Sequence, residues 1–238
     1  MTEQGFARLA GWLYLATFVT SIPALALKTP AMDAALTGSI APGATHAHVA
    51  ALLEIVLALA CVGTALALYP VLSRHDGVSA LGFIASRVLE AGLVLVGVVA
   101  LLTVVSLREG APNEVISAVV GLHDAAFLIG PGLLPAVNAV LLGGVLYRTR
   151  LVPRIIPLIG LIGAPLLAAS AIGTMFGAFD QVSAIAGLAA LPIAAWEFSL
   201  GCWLAVRGIR ASPARWPTVR RRTSWPSTAR SWTRRTPR

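Results

Sequence analysis

Residues 80–106 read ALGFIASRVLEAGLVLVGVVALLTVVS, a run of 27 residues that carries only two charged side chains, Arg87 and Glu90. An α-helix rises about 1.5 Å per residue, and about 20 apolar residues are enough to cross the hydrocarbon core of a bilayer. The run is longer than this minimum. It therefore predicts a transmembrane helix that tilts or protrudes from the membrane.

Five further apolar runs give most of the chain the same character. The six predicted spans are 9–27, 49–69, 80–106, 123–147, 155–178 and 182–206. Only 12% of the 238 residues are charged, against about 25% in a typical soluble domain. We predict an all-α fold, an integral membrane bundle of six transmembrane helices that forms one domain over residues 1–210. The first span lacks the small-residue cleavage pattern of a signal peptide, so it is predicted to stay in the protein.

The C-terminal part of the chain has a different composition. Ten of the 18 Arg and Lys residues lie between Arg207 and Arg238, so the first 206 residues carry a net charge of −2 although the whole chain carries +8. Residues 211–238 are rich in Pro, Ser, Thr and Arg without an apolar period, which predicts a disordered basic tail in the cytoplasm. Because the basic charge is confined to this tail, we predict no nucleic-acid partner. The predicted partner is the lipid bilayer.

The distribution of Arg and Lys predicts an orientation. One set of span ends carries Arg8, Arg74, Arg148 and the basic tail, whereas the other carries Lys28 and Arg108 together with acidic residues. Because cytoplasmic loops are enriched in Arg and Lys, both termini are expected in the cytoplasm, as an even number of spans requires. Lysine occurs once while Arg, Ala and Gly are abundant, which favours a bacterial source and hence the bacterial cytoplasmic membrane.

Six segments over residues 7–210, taken in order, resemble a known family. They read ARLAGWLYLATFVTSIP, LLEIVLALACVGTALALYPVLSRHDG, RVLEAGLVLVG, LHDAAFLIGPGLL, LYRTRLVPRIIPLIGLIGAPLLAAS and LPIAAWEFSLGCWL. This ordered set is similar to the bacterial membrane-protein family catalogued as domain of unknown function 4386. The resemblance implies a polytopic, all-helical membrane protein, and it supplies no catalytic residue.

Six ionisable side chains lie within the predicted spans, where a charge costs several kcal/mol unless it is paired or hydrated. Measured from the ends of the spans, they fall at two depths. The inner tier is Arg87, Glu90 and Glu197, and the outer tier is Glu54, His123 and Asp124. We interpret these six as a buried polar binding network and predict no catalytic residue.

The inner tier predicts an ion pair between two helices. Arg87 and Glu90 are three residues apart and therefore share one helix face. Glu197 lies at a similar depth, and a guanidinium suits a carboxylate, so we expect Arg87 to pair with Glu197. Two interpretations remain open: the pair staples span 3 to span 6, or it forms the polar wall of a solute or proton pathway.

The balance of buried charge is the strongest indication of function. With Lys28 assigned to a loop, Arg87 is the one buried cation among four carboxylates. In a low dielectric some of these carboxylates should carry protons, or a cation should join them. The imbalance favours proton or cation handling over anion handling.

The outer tier has histidines nearby in sequence. The loop before span 2 contains THAH, with His46 and His48 ahead of Glu54. Because His and carboxylate side chains suit zinc or a similar ion, His46, His48, His123 and Asp124 are candidate metal ligands. The alternative is that the loop histidines are simply solvated. No other cofactor is predicted.

Prolines accompany two of the buried acids. Pro131 and Pro135 follow His123 and Asp124 in span 4, and Pro192 precedes Glu197 in span 6. Proline removes a backbone donor, so we predict kinked helices at these points, as in the discontinuous helices of transporter binding sites. Residues 114–122 are predicted to form a separate interfacial helix before the chain turns inward near His123.

Three functions fit these features. The first is a small carrier or sensor that binds a proton, cation or small solute at a carboxylate-rich interior. The second is an outer-face, metal-dependent membrane hydrolase, and the third is a structural or partner-binding membrane subunit. No phosphate loop, nucleophile elbow or dinucleotide fingerprint occurs, which favours a protein that is not an enzyme.

Overall fold

A computed structural model describes residues 2–37, 44–107 and 110–210, and these fold into six α-helices without a strand. The helices are α1 Glu3–Thr37, α2 Ala44–Leu72, α3 Gly77–Leu107, α4 Asn113–Thr149, α5 Ile155–Met175 and α6 Ala184–Arg207. Each is long and apolar enough to cross a membrane. The predicted six-helix membrane bundle is therefore confirmed.

The six helices form a closed ring. Each helix packs on its neighbours in the chain, and α6 closes the ring against α1. Glycines allow two of these approaches. A methyl group added at Gly11 would meet the α6 backbone at Leu204 and Ala205, and one added at Gly160 would meet the Trp196 ring. Small residues let helices approach closely in this way, which membrane bundles depend on because lipid gives little apolar driving force for association.

Both ends of the described chain lie at the same end of the ring, which we call the terminus end. The Gln4 side chain donates to the Ile209 carbonyl at 2.5 Å and accepts from its N–H at 3.1 Å. The Arg210 N–H donates to the Leu151 carbonyl at 2.8 Å. These bonds join the start of α1 and the α4–α5 connection to the segment after α6. The predicted tail, 211–238, lies outside the described residues.

The bundle core is apolar toward both ends and polar between them. The core at the terminus end includes Tyr14, Phe83 and Trp196, and the core at the opposite end includes Met32 and Leu101. Buried polar side chains lie between these two cores. They include Lys28, Glu54, Arg87, Glu90, His123 and Asn138. Large apolar side chains such as Val19 and Val99 cover the outside, as expected of a surface that faces lipid.

The structure corrects two predicted boundaries. Residues 114–122 do not form a separate helix, because α4 runs without interruption for 37 residues. The long loop expected between spans 1 and 2 is mostly helical, since α1 continues to Thr37 and α2 begins at Ala44. Helix α4 also continues through Pro131 and Pro135, and α6 through Pro192. A kink at these prolines stays a prediction.

Candidate functional site

Arg87 lies at the centre of the bundle and contacts several helices. It is 2% exposed, and its Nη2 donates to Glu197 Oε1 on α6 at 2.8 Å while its Nη1 donates to Glu90 Oε2 at 3.1 Å. The guanidinium also lies 5.1 Å from the centre of the Tyr14 ring on α1. The predicted geometry is confirmed: Arg87 bridges α3 to α6, and Glu90 shares the guanidinium.

Two further polar groups contact Arg87 or Glu90. Asn138 on α4 donates from Nδ2 to Glu90 Oε2 at 2.7 Å, so this oxygen accepts two hydrogen bonds. Cys61 on α2 accepts from Arg87 Nη1 at 3.6 Å. We call Arg87, Glu90, Glu197 and Asn138 the arginine cluster. It is held by side chains from three helices, so its geometry depends on how the whole ring closes.

Lys28 belongs to the buried network. The sequence did not predict that Lys28 is a member. Its side chain is 4% exposed, and Nζ lies 2.5 Å from Glu54 Oε1 on α2. The same ammonium lies 4.4 Å from the centre of the Phe127 ring on α4. Glu54 therefore has a cationic partner on α1, and α1, α2 and α4 meet at this pair. The assignment of Lys28 to a loop was wrong because α1 continues through Pro30.

The charge balance changes accordingly. The predicted excess of three negative charges counted Asp124, whose side chain is 59% exposed. Among the residues that the structure describes, the charged groups that face one another inside the bundle are Glu54, Glu90 and the partly buried Glu197 against Lys28 and Arg87. If all five groups are ionised, they leave a formal charge of −1. The arginine cluster carries this excess, because Glu54 and Lys28 balance one another.

A cavity of about 400 Å³ lies between the arginine cluster and the Lys28–Glu54 pair. We call it the interior cavity. All five buried charged residues line it, together with apolar side chains from every helix of the ring. Phe127, Pro131 and Pro135 of α4 also form part of its wall. The Pro131–Pro135 segment therefore borders the buried charges, as the sequence predicted.

A second cavity, of about 550 Å³, adjoins the first toward the end of the bundle opposite the termini. We call it the vestibule. Its polar wall residues are Lys28, Thr29, Asp33, His123, Asp124, Asp180 and Gln181. Lys28, Phe127 and Leu25 line both cavities. These three side chains therefore stand between the vestibule and the interior cavity.

The remaining outer-tier residues are only partly brought together. His123 is buried, its Nδ1 lies 3.0 Å from Asp124 Oδ1, and its ring stacks on Phe127. His46 and His48 are exposed in the first turns of α2 rather than in a loop. Over residues 2–37, 44–107 and 110–210, no group of three or more His, Cys, Asp or Glu side chains is placed to hold a metal ion.

The sequence that carries these buried groups matches a protein family. The family described as domain of unknown function 4386 matches residues 9–208. The chain belongs to the DUF4386 family. The match includes every residue of α2 to α6, α1 from residue 9 onward, and every residue of the arginine cluster. No curated protein and no solved structure matches this DUF4386 chain.

Sequence reasoning missed Lys28, Phe127 and the contribution of Cys61 to this site. A signal for Lys28 was present, because alanines flank it at helical spacing, at Ala24, Ala31 and Ala35. All three are buried along with Lys28. This DUF4386 chain thus continues a buried helix face beyond the predicted end of the first span.

Proposed function

We propose that the protein is a small membrane carrier or sensor that binds a proton, cation or small solute in the interior cavity. The observation that supports this proposal most is the cavity itself, a space of about 400 Å³ walled by three carboxylates and two cations. Pockets for small molecules commonly have volumes of about 300–1,000 Å³ and few polar groups among apolar ones. Ionisable groups inside a membrane often mark the path of a solute or proton.

The arrangement of two cavities in series supports the same proposal. The vestibule begins among residues near the ends of α1 and the α5–α6 connection, and it reaches Lys28 and Phe127. The interior cavity begins at the same two side chains. A solute that entered the vestibule would meet this partition before it reached the buried carboxylates. Movement of Lys28 or Phe127 would then control access.

The two other functions have less support. A metal-dependent hydrolase needs a set of metal ligands, and the described residues bring no such group together. A structural subunit accounts for the ion pairs as staples, but a staple does not require a cavity beside it. We therefore propose the carrier or sensor ahead of these two functions. We also propose that the protein is not an enzyme.

We also propose that the protein lies in the bacterial cytoplasmic membrane with both termini in the cytoplasm. Arg74, Arg148 and Arg150 lie at the terminus end, and the positive-inside rule places that end in the cytoplasm. A reporter that is active only in the cytoplasm should work when fused after Arg150 or Arg210 and should fail after Ala44. Activity after Ala44 would reverse the orientation.

Filling the interior cavity with a larger side chain tests whether transported protons pass through it. Ala194 lines the interior cavity, so Ala194→Trp should fill part of it, whereas Leu191→Trp on the exposed face of α6 should not. The measurement is proton flux into vesicles that contain a pH-sensitive dye, driven by an imposed membrane potential. A carrier should lose its flux in Ala194→Trp and keep it in Leu191→Trp.

The other outcomes are equally informative. Equal flux in the unaltered protein and in Ala194→Trp would contradict the interior cavity as the route. Flux no faster than in protein-free vesicles for every variant would favour a sensor over a proton carrier.

A further inference from the structure

With all five groups ionised, the interior cavity has one negative charge more than its own cations balance. Lys28 and Glu54 neutralise each other at 2.5 Å, whereas Arg87 must serve both Glu90 and Glu197. An uncompensated charge is costly in a low dielectric. A ligand with one positive charge would make the cavity neutral. A dication would leave a charge of +1, and a monoanion would leave −2.

Glu197 is the carboxylate best placed to receive that ligand. Glu90 already accepts from Arg87 and from Asn138 through Oε2. Arg87 donates to Glu197 through Oε1, and the Glu197 side chain is 14% exposed against 7% for Glu54 and for Glu90. Glu197 therefore offers both charge and access to a ligand in the cavity.

A second acceptor lines the same cavity. Glu54 Oε2 is buried and has no hydrogen-bond partner among the residues that the structure describes, although Glu54 Oε1 is bonded to Lys28. A buried carboxylate oxygen without a partner is unfavourable, and a bound donor would relieve this cost.

The rest of the wall indicates the body of the ligand. A hard inorganic cation such as calcium takes about six to eight oxygen ligands at close range. The cavity instead presents apolar side chains, among them Phe18, Leu57, Val94 and Ile193. A volume of about 400 Å³ has room for an apolar group of several heavy atoms beside the charged head.

We propose that the interior cavity binds a small amphipathic organic monocation, with its ammonium head at Glu197 and its apolar body against the apolar wall. This proposal rests on the proposed function, since it names the class of solute that the same cavity takes. Glu54 Oε2 is an acceptor at the other end of the cavity. Arg87 stays paired with Glu90 and holds Glu197 in place.

The test uses three probes of nearly equal shape and different charge: benzylammonium, benzyl alcohol and benzoate. Binding to the purified full-length protein is measured by equilibrium dialysis in one detergent. A charge-assisted hydrogen bond contributes about 1.5–3 kcal/mol, so benzylammonium should bind at least about tenfold more tightly than benzyl alcohol. Benzoate should not bind.

Variants assign the preference to Glu197. Glu197→Gln should remove the preference for benzylammonium over benzyl alcohol, and Glu197→Asp should keep it. The matched control is Glu114→Gln, at an exposed carboxylate near the start of α4 that does not line either cavity. Glu197→Asp changes the same position and retains the charge. A preference that is kept in Glu197→Asp and lost in Glu197→Gln therefore depends on the charge at this position.

Each contrary outcome overturns a specific part of the proposal. Equal binding of benzylammonium and benzyl alcohol would overturn the monocation and leave the cavity as a site for neutral solutes. A preference that survives Glu197→Gln would overturn the role of Glu197. Failure of benzylammonium to bind, together with proton flux that Ala194→Trp abolishes, would overturn the organic ligand and keep the proposed function with a proton as its cargo. Failure of binding together with flux unaffected by Ala194→Trp would overturn both.

Discussion

Replacing Arg87 with alanine should destabilise the protein by about 3–5 kcal/mol, the cost typical of breaking a buried ion pair by removing one partner. Arg87 is 2% exposed and is the cation that contacts both Glu90 and Glu197. Its loss leaves two buried carboxylates without their cation. The measurement is the free energy of unfolding in detergent, followed by the loss of helical signal.

A double-mutant cycle tests whether this loss of stability comes from the unpaired carboxylates. Arg87→Ala combined with Glu197→Gln removes the cation and one of the stranded carboxylates, so it should be less destabilised than Arg87→Ala alone. The distance of 2.8 Å between Arg87 Nη2 and Glu197 Oε1 predicts a clear coupling energy. A coupling energy near zero would remove this pair as the link between α3 and α6.

Replacing Lys28 with methionine should have the second large effect. Methionine keeps most of the side-chain volume and removes the ammonium, which leaves Glu54 buried without its cation. We again expect a loss of about 3–5 kcal/mol. Lys28→Met combined with Glu54→Leu should recover a large part of this loss, because a buried ion pair can be replaced by apolar side chains at little cost.

The Arg74–Glu3 pair at the terminus end provides the matched control. Its side chains are 70% and 41% exposed. Exposed ion pairs contribute at most about 1 kcal/mol, so Arg74→Met should change the free energy of unfolding very little. If Lys28→Met were as mild as Arg74→Met, the Lys28–Glu54 pair would not be a desolvated ion pair in the folded protein.

The length of the apolar runs predicted the number of spans, and the depth of the charged residues predicted that Arg87, Glu90 and Glu197 meet. Both follow from local rules: a membrane span needs a minimum length, and helices of known direction place residues at calculable depths. Arg87 and Glu197 are far apart in the chain but equal in depth, and the closed ring brings α3 and α6 close enough for them to meet.

The sequence failed where the end of a helix had to be located. The first apolar run was ended at residue 27, so Lys28 was assigned to a loop, although α1 continues through Pro30 to Thr37. Membrane helices tolerate proline when neighbouring groups satisfy the freed carbonyl. The same uncertainty applied to residues 114–122, which join α4 directly. Depth alone also could not show that Asp124 is largely exposed, because exposure depends on the side of the helix that faces the vestibule.

The central claim is that water and small solutes reach the interior cavity in the folded protein. Thiol labelling tests this claim directly. Ser21 lines the cavity, and Val19, about 3 Å away along the same helix, is 71% exposed on the surface predicted to face lipid. Each is replaced by cysteine in a background in which Cys61 and Cys202 are replaced by serine.

The cysteine thiolate attacks a methanethiosulfonate reagent, forms a mixed disulfide and releases methanesulfinate, and the thiolate forms where water reaches the sulfur. In membrane vesicles, Ser21→Cys should therefore react much faster than Val19→Cys with a small cationic reagent, and Ala194→Trp should slow the reaction. If Ser21→Cys were as unreactive as Val19→Cys while both proteins remained folded, the cavity would be closed to solutes. The buried ion pairs would then be staples that hold the six helices together.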